Sequence, residues 1–384
     1  MKQTSIIEIS KSAIINNIGF IKETLGENVR VSSVVKANAY GHGVENFVPI
    51  AESCGIDHFS VFSAMEAFRV KQVLKQPTTD VMIMGHIGAD EIEWVIQNGV
   101  EFFVFNFCRL QLAVKVAEEL GIKAKIHIEI ETGLNRTGFE REELKQVISL
   151  LKTYSANLTI KGLCTHYAGA ESIANHVRVQ RQISKFNKTY KWFVKNGITP
   201  EIRHTACSAA AFTYENTRMD MVRIGIMQYG FWSTDETRIH YFHKHKGQLD
   251  RLERVMSWKS TVMSVKTVKT GEFISYGTTF LAQEDKKIAI VPVGYSHGFS
   301  RTLSNQGRVL VRGRRCAVIG LINMNMLIVD VTGIDSVKYG DEVVMIGRQG
   351  KLSISVHSFS QLSDQLNYEL LTRLPSDTKR KIVK

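Results

Sequence analysis

Lys36 is a lysine whose position in the sequence could make its amine a nucleophile. It follows the apolar run 29–35, which is typical of a buried parallel strand, and it precedes Tyr40 and glycines at 41 and 43. A lysine at the end of a buried strand lies in low-dielectric surroundings that disfavour the ammonium and lower its pKa. The alternative is a lysine that simply extends from a strand end into water. Tyr40, the two glycines and the partners further along the chain favour the nucleophile.

Four more functional side chains lie at or near the ends of later predicted strands. Arg136 follows the fifth strand, His166 the sixth and Ser208 the seventh, while Arg223 belongs to the eighth. Taken singly, His166 fits an ordinary core histidine, and each arginine fits a surface or salt-bridged residue. Small residues near Ser208 and at Gly225 let an anion approach the backbone, as a phosphate cradle requires. A lysine, a phosphate cradle, a histidine and a buried arginine together indicate a pyridoxal-phosphate site.

Strand and helix patterns alternate along the first part of the chain. Apolar or alternating segments predict eight strands, at 32–36, 59–62, 81–84, 102–105, 125–130, 160–165, 202–206 and 222–226. Helix-period segments separate them, for example 64–74, 110–120, 142–151 and 177–194. This alternation favours a closed (β/α)8 barrel, which carries its chemistry at the carboxyl ends of its strands. A doubly wound open sheet remains the alternative, because the pattern does not prove closure.

The alternation of strand and helix patterns ends after residue 230. Residues 231–252 are polar, charged and rich in histidine, which predicts a linker, and His240, His243 and His245 are interpreted as part of a surface loop rather than a metal site. Short strands follow, at 256–266, 287–293, 308–311, 316–320, 326–331 and 342–346, and a helix begins near 356. The basic segment 378–381 is predicted to be a frayed end. The predicted domains are therefore a barrel, 1–240, and a β-rich domain, 241–384.

Composition excludes several classes of protein. A hydrophobic content of 44% and a charged content of 22% are ordinary for a globular protein. The net charge of +12 comes from basic residues interleaved with acids, so we expect a solvated surface and no nucleic-acid partner. No signal peptide or apolar run of membrane-spanning length is present, and the 5 cysteines are scattered without metal-ligand spacing. We therefore expect a cytoplasmic protein without disulfides, bound metal or membrane attachment.

Seven sequence motifs occur in the order of a known family. They are VKANAYGHG at 35–43, ETGLNRTG at 131–138, THY at 165–167, RIGI at 223–226, SYGTT at 275–279, GY at 294–295 and NYE at 367–369. The first motif is highly specific, whereas the others are individually weak. With these motifs the chain resembles an alanine racemase over essentially its whole length. The resemblance implies pyridoxal 5'-phosphate as cofactor, D-alanine production for peptidoglycan, and a head-to-tail homodimer with shared active sites.

The resemblance also assigns roles to individual residues. Lys36 would carry the cofactor, and its phosphate would be held by Tyr40, Ser208, Gly225, Ile226 and Tyr368. Arg136 would contact the cofactor's phenolic oxygen, His166 would lie near the ring, and Arg223 would bond the pyridine nitrogen. Arg136, Tyr295 and Met324 would also contact the substrate. Tyr276, reaching in from the partner subunit, would be the second base, with Lys36 and Tyr276 serving opposite faces of the substrate.

Those residue types suit racemisation. One base removes the Cα proton and the other returns a proton on the opposite face. The reference pKa of tyrosine is near 10, so His166 and Arg223 are expected to lower the pKa of Tyr276. Arginine donates hydrogen bonds without losing its proton, so Arg223 would leave the pyridine nitrogen unprotonated. The ring would then withdraw electrons less strongly, and transamination would be suppressed.

Several positions depart from the family pattern. Glu129 stands where many members have a carbamylated lysine, and its contact with Arg136 is expected to be less direct because its side chain is shorter. Glu131 replaces an aspartate. The other departures concern the entrance: His297 for an aspartate, Glu171 for a shorter acid, Leu321 for an arginine, and Asn323-Met324-Asn325 for Cys-Met-Asp. They leave the range of substrates open.

Three alternative functions remain at this point. The first is a racemase of serine or of larger or basic amino acids on the same scaffold. The second is a related decarboxylase, disfavoured because Tyr276 is present and Cys316 lies in a basic segment. The third is a non-catalytic pyridoxal-phosphate-binding barrel, which would lack a domain such as 256–384.

Overall fold

The computed structural model describes residues 3–363 and 367–384. The chain separates into two compact units, each built from more than one segment. One contains Ala13–Ala37 and Phe47–Glu253, and the other contains Met1–Ser12, Asn38–Asn46 and Arg254–Lys384. We call the first the barrel unit and the second the β-rich unit.

The barrel unit is organised around a sheet of parallel strands. Its strands are β2 (Arg30–Val34), β3 (His58–Ser63), β4 (Asp80–His86), β5 (Glu101–Val104), β6 (Ala124–Glu129), β7 (Leu158–Cys164), β8 (Ile202–His204) and β9 (Met221–Ile224). Each strand from β2 to β7 pairs with the next one, and β9 pairs with β2. Backbone hydrogen bonds join β9 to β8, from Asp220 N–H to Arg203 O at 3.2 Å and from Arg223 N–H to Ala206 O at 2.9 Å. The sheet is therefore closed, and the predicted (β/α)8 class is confirmed.

Helices alternate with these strands. They are α1 (Lys11–Leu25), α2 (Lys36–Tyr40), α3 (Val44–Ser53), α4 (Ala64–Val73), α5 (Ile92–Gln97), α6 (Phe107–Leu120), α7 (Leu144–Thr153), α8 (His176–Lys195), α9 (Ser208–Thr213) and α10 (Asp235–Lys244). Local sequence explains several ends: Asn106 caps α6 by accepting from Arg109 N–H at 2.9 Å, and Gly121 ends it with φ +65°. Within the described ranges, no helix is long and apolar enough to cross a membrane.

The predicted linker 231–252 is wrong, because α10 lies within it. Thr234 accepts from Thr237 N–H at 3.2 Å, and the Thr237 hydroxyl accepts from Thr234 N–H at 3.1 Å, so a capping box starts the helix. Tyr241 then packs against Phe20 and Trp232, with ring centroids 5.9 and 5.1 Å apart. The histidines interpreted as a loop therefore lie on this helix and at its end. Aromatic packing outweighs the polar composition of the segment.

The β-rich unit contains two sheets. Its strands are β1 (Ser5–Ser10), β10 (Met256–Thr261), β11 (Ser264–Val268), β12 (Lys286–Val291), β13 (Arg308–Val311), β14 (Arg314–Ala317), β15 (Leu327–Asp330), β16 (Glu342–Gln349), β17 (Leu352–Ile354) and β18 (Arg380–Val383). One sheet has the order β14-β13-β16-β10-β1-β18, with β17 on β16, and the other is β11-β12-β15. Helices α11 (Val356–Ser363) and α12 (Asn367–Arg373) complete the unit.

Two predictions in this unit are wrong. The single strand at 256–266 is two strands in different sheets, because the backbone changes partner between them: Val262 N–H donates to Asp341 O and Met263 N–H to Ile290 O, both at 2.8 Å. The basic end predicted to fray forms β18, which pairs in parallel with β1. Its partner lies at the other end of the chain, so no local pattern signals the pairing.

Candidate active site

The segment that follows β2 is a left-handed turn. Ala37, Asn38, Ala39 and Tyr40 all have positive φ, between +50° and +56°. Left-handed backbone costs about 1–2 kcal/mol per residue outside glycine, so the surrounding structure must hold it. Gly41 continues the turn at φ +79°, where a Cβ atom would overlap the carbonyl of Leu371.

Hydrogen bonds within the β-rich unit hold this turn. Gly43 N–H donates to Asn38 O at 2.9 Å, and His42 Nδ1–H donates to the carbonyls of Ala39 and Tyr40 at 3.0 and 2.9 Å. Burial lowers the pKa of His42 to about 4, so this imidazole is neutral. Arg380 donates from Nε and Nη2 to Gly41 O at 3.1 and 3.0 Å. The end of the chain therefore stabilises the turn that carries Tyr40.

Lys36 lies at the carboxyl end of β2, where the sequence placed it. Its side chain reaches solvent in this single chain, yet the surrounding atoms desolvate the ammonium and lower its pKa. Arg136 and Arg223 lower that pKa further, whereas the charge of Glu66 raises it. Glu66 is fixed by accepting from Ala37 N–H and Phe62 N–H, both at 2.7 Å. The lowered pKa raises the fraction of the amine that is neutral and nucleophilic.

The loop after β6 presents Arg136 beside two buried acids. Glu131 accepts from Gly133 N–H and from Asn135 N–H, so the acid that replaces an aspartate braces the start of this loop. Burial raises the pKa of Glu129, against a hydrogen bond with Thr137 and the charges of Arg223 and Arg136. Glu129 thus interacts with Arg136 through charge, and its hydrogen bond is with Thr137.

His166 follows β7 and is neutral at physiological pH. Burial lowers the pKa of His166 to about 3, and the charges of Arg223, Arg136 and Lys36 add to the effect. These four side chains therefore share one electrostatic neighbourhood at the carboxyl ends of the barrel strands. Repulsion among cations here makes the neighbourhood suited to a bound anion.

Arg223 is buried and bonded through both terminal nitrogens. Nη1 donates to His204 Nδ1 at 2.5 Å and to His204 O at 2.8 Å, and Nη2 donates to Thr165 O at 2.7 Å and to Thr205 O at 3.3 Å. The guanidinium also lies 5.8 Å from the Phe103 ring centroid. These contacts fix one orientation of the planar fork.

Ser208 and Gly225 meet at the predicted phosphate cradle. Gly225 N–H donates to Ser208 Oγ at 3.0 Å, and the buried Ile226 follows directly. In the β-rich unit, the rings of Tyr40 and Tyr368 lie 6.0 Å apart. The structure thus brings Ser208 and Gly225 together within the barrel unit, and Tyr40 and Tyr368 together within the β-rich unit.

Tyr276, Tyr295 and Met324 lie on connected segments of the β-rich unit. Ser275 Oγ donates to Leu321 O at 2.6 Å, and Tyr295 N–H donates to Asn323 O at 3.1 Å. The three side chains are 72%, 44% and 57% exposed. Hydrogen bonds thus join the segments that carry these three exposed side chains.

Sequence reasoning missed the side chains behind Arg223. His58, Glu101, His127 and His204 lie on barrel strands and are completely buried. The available signal was that His127 and His204 are polar residues inside predicted strands, while His58 and Glu101 directly precede predicted strands.

Two models of known protein families match this chain. A family model described as the alanine racemase N-terminal domain matches residues 9–232, and one described as the alanine racemase C-terminal domain matches residues 255–382. The chain belongs to the alanine racemase family. The family predicted from the sequence motifs is thereby confirmed.

Individual members of this family match along their full length. An alanine racemase of Leptospira interrogans is 34% identical over 385 residues, covering 100% of this chain and 97% of the relative. The solved alanine racemase of Bacillus anthracis, with bound L-Ala-P, has a TM-score of 0.91 at 28% identity and covers 100% of this chain and 96% of its own. That of Bartonella henselae, with covalently bound pyridoxal phosphate, has a TM-score of 0.85 at 25% identity with 100% coverage of both chains.

Proposed function

We propose that this chain is a pyridoxal-phosphate-dependent racemase that interconverts L- and D-alanine. The observation that supports it most directly is Lys36 at the end of β2, with a lowered pKa beside Arg136 and Arg223, in a chain matched along its length by alanine racemases. The solved relatives that hold pyridoxal phosphate or L-Ala-P support the cofactor and the substrate.

The residues present fit this cofactor. Ser208, with the backbone at Gly225 and Ile226, suits its phosphate, and Arg223 can only donate, which suits an unprotonated pyridine nitrogen. When bound, the cofactor supplies an electron-withdrawing ring that acidifies the Cα–H of the amino acid. Neutral His166 offers a ring face without adding a positive charge. Arg136 offers a cation for the phenolic oxygen and for the substrate carboxylate.

Two bases of this chain would move the protons. Lys36 Nζ would accept or return the Cα proton on one face, because its lowered pKa keeps a fraction of the amine neutral. The Tyr276 phenol would do so on the other face. Arg136 would hold the substrate carboxylate so that Cα lies between the two bases.

We also propose that Tyr276 acts in the active site of a second copy. Tyr276 is 72% exposed, Tyr295 and Met324 are also exposed, and hydrogen bonds join the segments that carry them. Aromatic residues and methionine are enriched in the cores of protein interfaces. In the resulting head-to-tail homodimer, the domain 241–384 of one copy would complete the barrel, 1–240, of the other. Symmetry would create two equivalent active sites.

A cytoplasmic location fits the chemistry of the chain. Cys108, Cys164, Cys207 and Cys316 form no disulfide bond with any described residue, which is typical of a reducing compartment. The D-alanine formed there would serve as a precursor of peptidoglycan.

The experiment is to supply purified protein with pyridoxal phosphate and test a panel of L-amino acids by chiral chromatography. We expect D-alanine to form, together with the absorbance of bound cofactor. Bound cofactor without racemisation of any amino acid would identify a non-catalytic binder. Racemisation of serine, lysine or arginine without alanine would identify the alternative racemase.

A further inference from the structure

A continuous chain of polar side chains runs through the buried interior of the barrel unit to Arg223. Arg223 Nη1 contacts His204 Nδ1 at 2.5 Å, and His204 Nε2 contacts His127 Nδ1 at 2.8 Å. His127 Nε2 then contacts Glu101 Oε2 at 2.9 Å, and the same oxygen contacts His58 Nε2 at 3.2 Å. The chain crosses strands β9, β8, β6, β5 and β3, and its three histidines and Glu101 have no exposed surface.

The positions of the protons along these polar side chains follow from Arg223. Arginine has no acceptor, so His204 Nδ1 must accept, and the proton of this neutral ring is on Nε2. His204 Nε2–H then donates to His127 Nδ1, which places the His127 proton on Nε2 and directs it to Glu101. His58 likewise directs Nε2–H to Glu101, while its Nδ1 accepts from the Ser32 hydroxyl at 2.8 Å. A single arrangement of donors satisfies every contact.

The electrostatics agree with this arrangement. Burial lowers the pKa of His127 and of His204, so both rings stay neutral at physiological pH. Burial raises the pKa of Glu101, but hydrogen bonds from His127 and His58 outweigh it and hold that pKa well below its usual range. Glu101 is therefore an ionised carboxylate. Its other oxygen faces Lys161 Nζ at 3.9 Å, and Lys161 also pairs with Glu201.

The hydrogen bonds of Arg223 leave one of its donors for another partner. Among the described residues, the hydrogen bonds of this guanidinium come from Nη1 and Nη2, to His204, Thr165 and Thr205. Nε–H is the donor that remains for the pyridine nitrogen. Its direction depends on Nη1 being held by His204, because the guanidinium is rigid and planar.

We propose that Glu101 is a positioning residue for the racemase reaction, acting on Arg223 through His127 and His204. The buried carboxylate fixes both imidazole tautomers, and the tautomers fix the guanidinium that would contact the pyridine nitrogen. This inference rests on the proposed function, since it assigns Arg223 to the cofactor. The role of Glu101 is to maintain the selectivity of racemisation over transamination, because an arginine held as a donor keeps the pyridine nitrogen unprotonated.

Glu101→Gln tests the charge with little change in shape. The amide can still accept through one oxygen, but its NH2 group has no counterpart in the chain, where the neighbouring donors are His58, His127 and Lys161. We expect the tautomer order to relax and the hold on Arg223 to weaken. Glu201→Gln is the matched control, because it makes the same chemical change at the other partner of Lys161, on the surface and outside the chain.

The informative measurement is the ratio of transamination to racemisation. In transamination the amino group of alanine passes to the cofactor, which is converted to its amine form while alanine is oxidised to pyruvate. For Glu101→Gln we expect kcat for racemisation to fall about tenfold. Losses of about this size follow the removal of a hydrogen-bond partner that orients a ligating side chain in metal sites. We also expect more pyruvate per racemisation event, a shifted absorbance band of the bound cofactor and an unchanged KM for alanine. Glu201→Gln should match the wild type.

A second variant separates positioning from stability. His127→Asn keeps an acceptor for His204 but removes the link to Glu101, so it should change the pyruvate ratio and the absorbance band in the same direction. An unchanged ratio in both variants, or a loss of cooperative unfolding in both without a spectral change in residual folded protein, would overturn the inference. If the wild type racemises alanine in those cases, the proposed function stands. A wild type that binds no cofactor and racemises nothing would instead refute the proposed function.

Discussion

Arg380→Ala should weaken cofactor binding by loosening the left-handed turn after β2. Four residues of the turn, 37–40, have positive φ, so the turn costs about 4–8 kcal/mol at about 1–2 kcal/mol per residue. Arg380 opposes that cost with two contacts to Gly41 O at 3.1 and 3.0 Å. The same guanidinium binds the carbonyls of Pro375 and Ser376 at 2.6 and 2.9 Å, which ties the turn to the segment before β18.

The magnitude follows from the hydrogen bond that is lost. A hydrogen bond from a charged donor contributes about 1.5–3 kcal/mol. If the bond to Gly41 keeps Tyr40 in the phosphate cradle, its loss should raise the Kd for pyridoxal phosphate about 10- to 150-fold. Lys381→Ala is the matched control, because Lys381 is the next residue of β18 and its side chain is exposed.

The assay is a titration of cofactor-depleted protein with pyridoxal phosphate, followed by absorbance, with thermal unfolding measured in parallel. Arg380→Ala should show a raised Kd and, with saturating cofactor, a kcat close to that of the wild type. Arg380→Lys should recover part of the affinity. Wild-type affinity in Arg380→Ala would refute the claim that the end of the chain stabilises the turn.

Further predictions concern Tyr276, Glu129 and the entrance. Tyr276→Phe should nearly abolish racemisation while one enantiomer of alanine still exchanges its Cα proton in deuterated water, and unchanged racemisation would exclude Tyr276 as a base. Glu129 should make activity independent of bicarbonate, unlike a lysine carbamate. Burial raises the pKa of Glu129, so ionisation of this carboxyl lowers folding stability as the pH rises through that pKa. Glu129→Gln should therefore raise Tm at neutral pH, and a lower Tm there would contradict this sign. The entrance with Leu321 should admit serine or a longer amino acid as well as alanine, since one methylene is worth about 1–3 kcal/mol of discrimination. The measurement compares specificity constants of the wild type and Leu321→Arg. Strict alanine specificity that the arginine leaves unchanged would show that the entrance does not control substrate choice.

The barrel could be predicted because its strands and helices have local signatures. Each of the eight predicted strands overlaps an observed one, and the amphipathic helices predicted at 110–120 and 177–194 lie within α6 and α8. The predicted side chains Lys36 and His166 follow β2 and β7, since the carboxyl end of a parallel strand is recognisable in sequence. Their roles stay predictions until chemistry tests them.

Features that depend on distant partners could not be predicted. The strand β18 forms because β1 offers a parallel edge, and its basic composition alone suggested fraying. Helix α10 forms because Tyr241 packs against aromatic residues from other segments. The polar chain from Glu101 to Arg223 is hidden because hydrophobic periodicity treats buried strand positions as apolar. Gly41 and Gly43 mark the turn after Lys36 but not its left-handed run.

The most direct test of the central claim is the covalent position of the cofactor. Borohydride reduction of the protein loaded with pyridoxal phosphate, followed by proteolysis and mass spectrometry, should place the cofactor mass on the peptide that contains Lys36. Lys36→Ala should lose that label and the racemase activity together. A label on another lysine, or no label in protein that racemises alanine, would contradict the account.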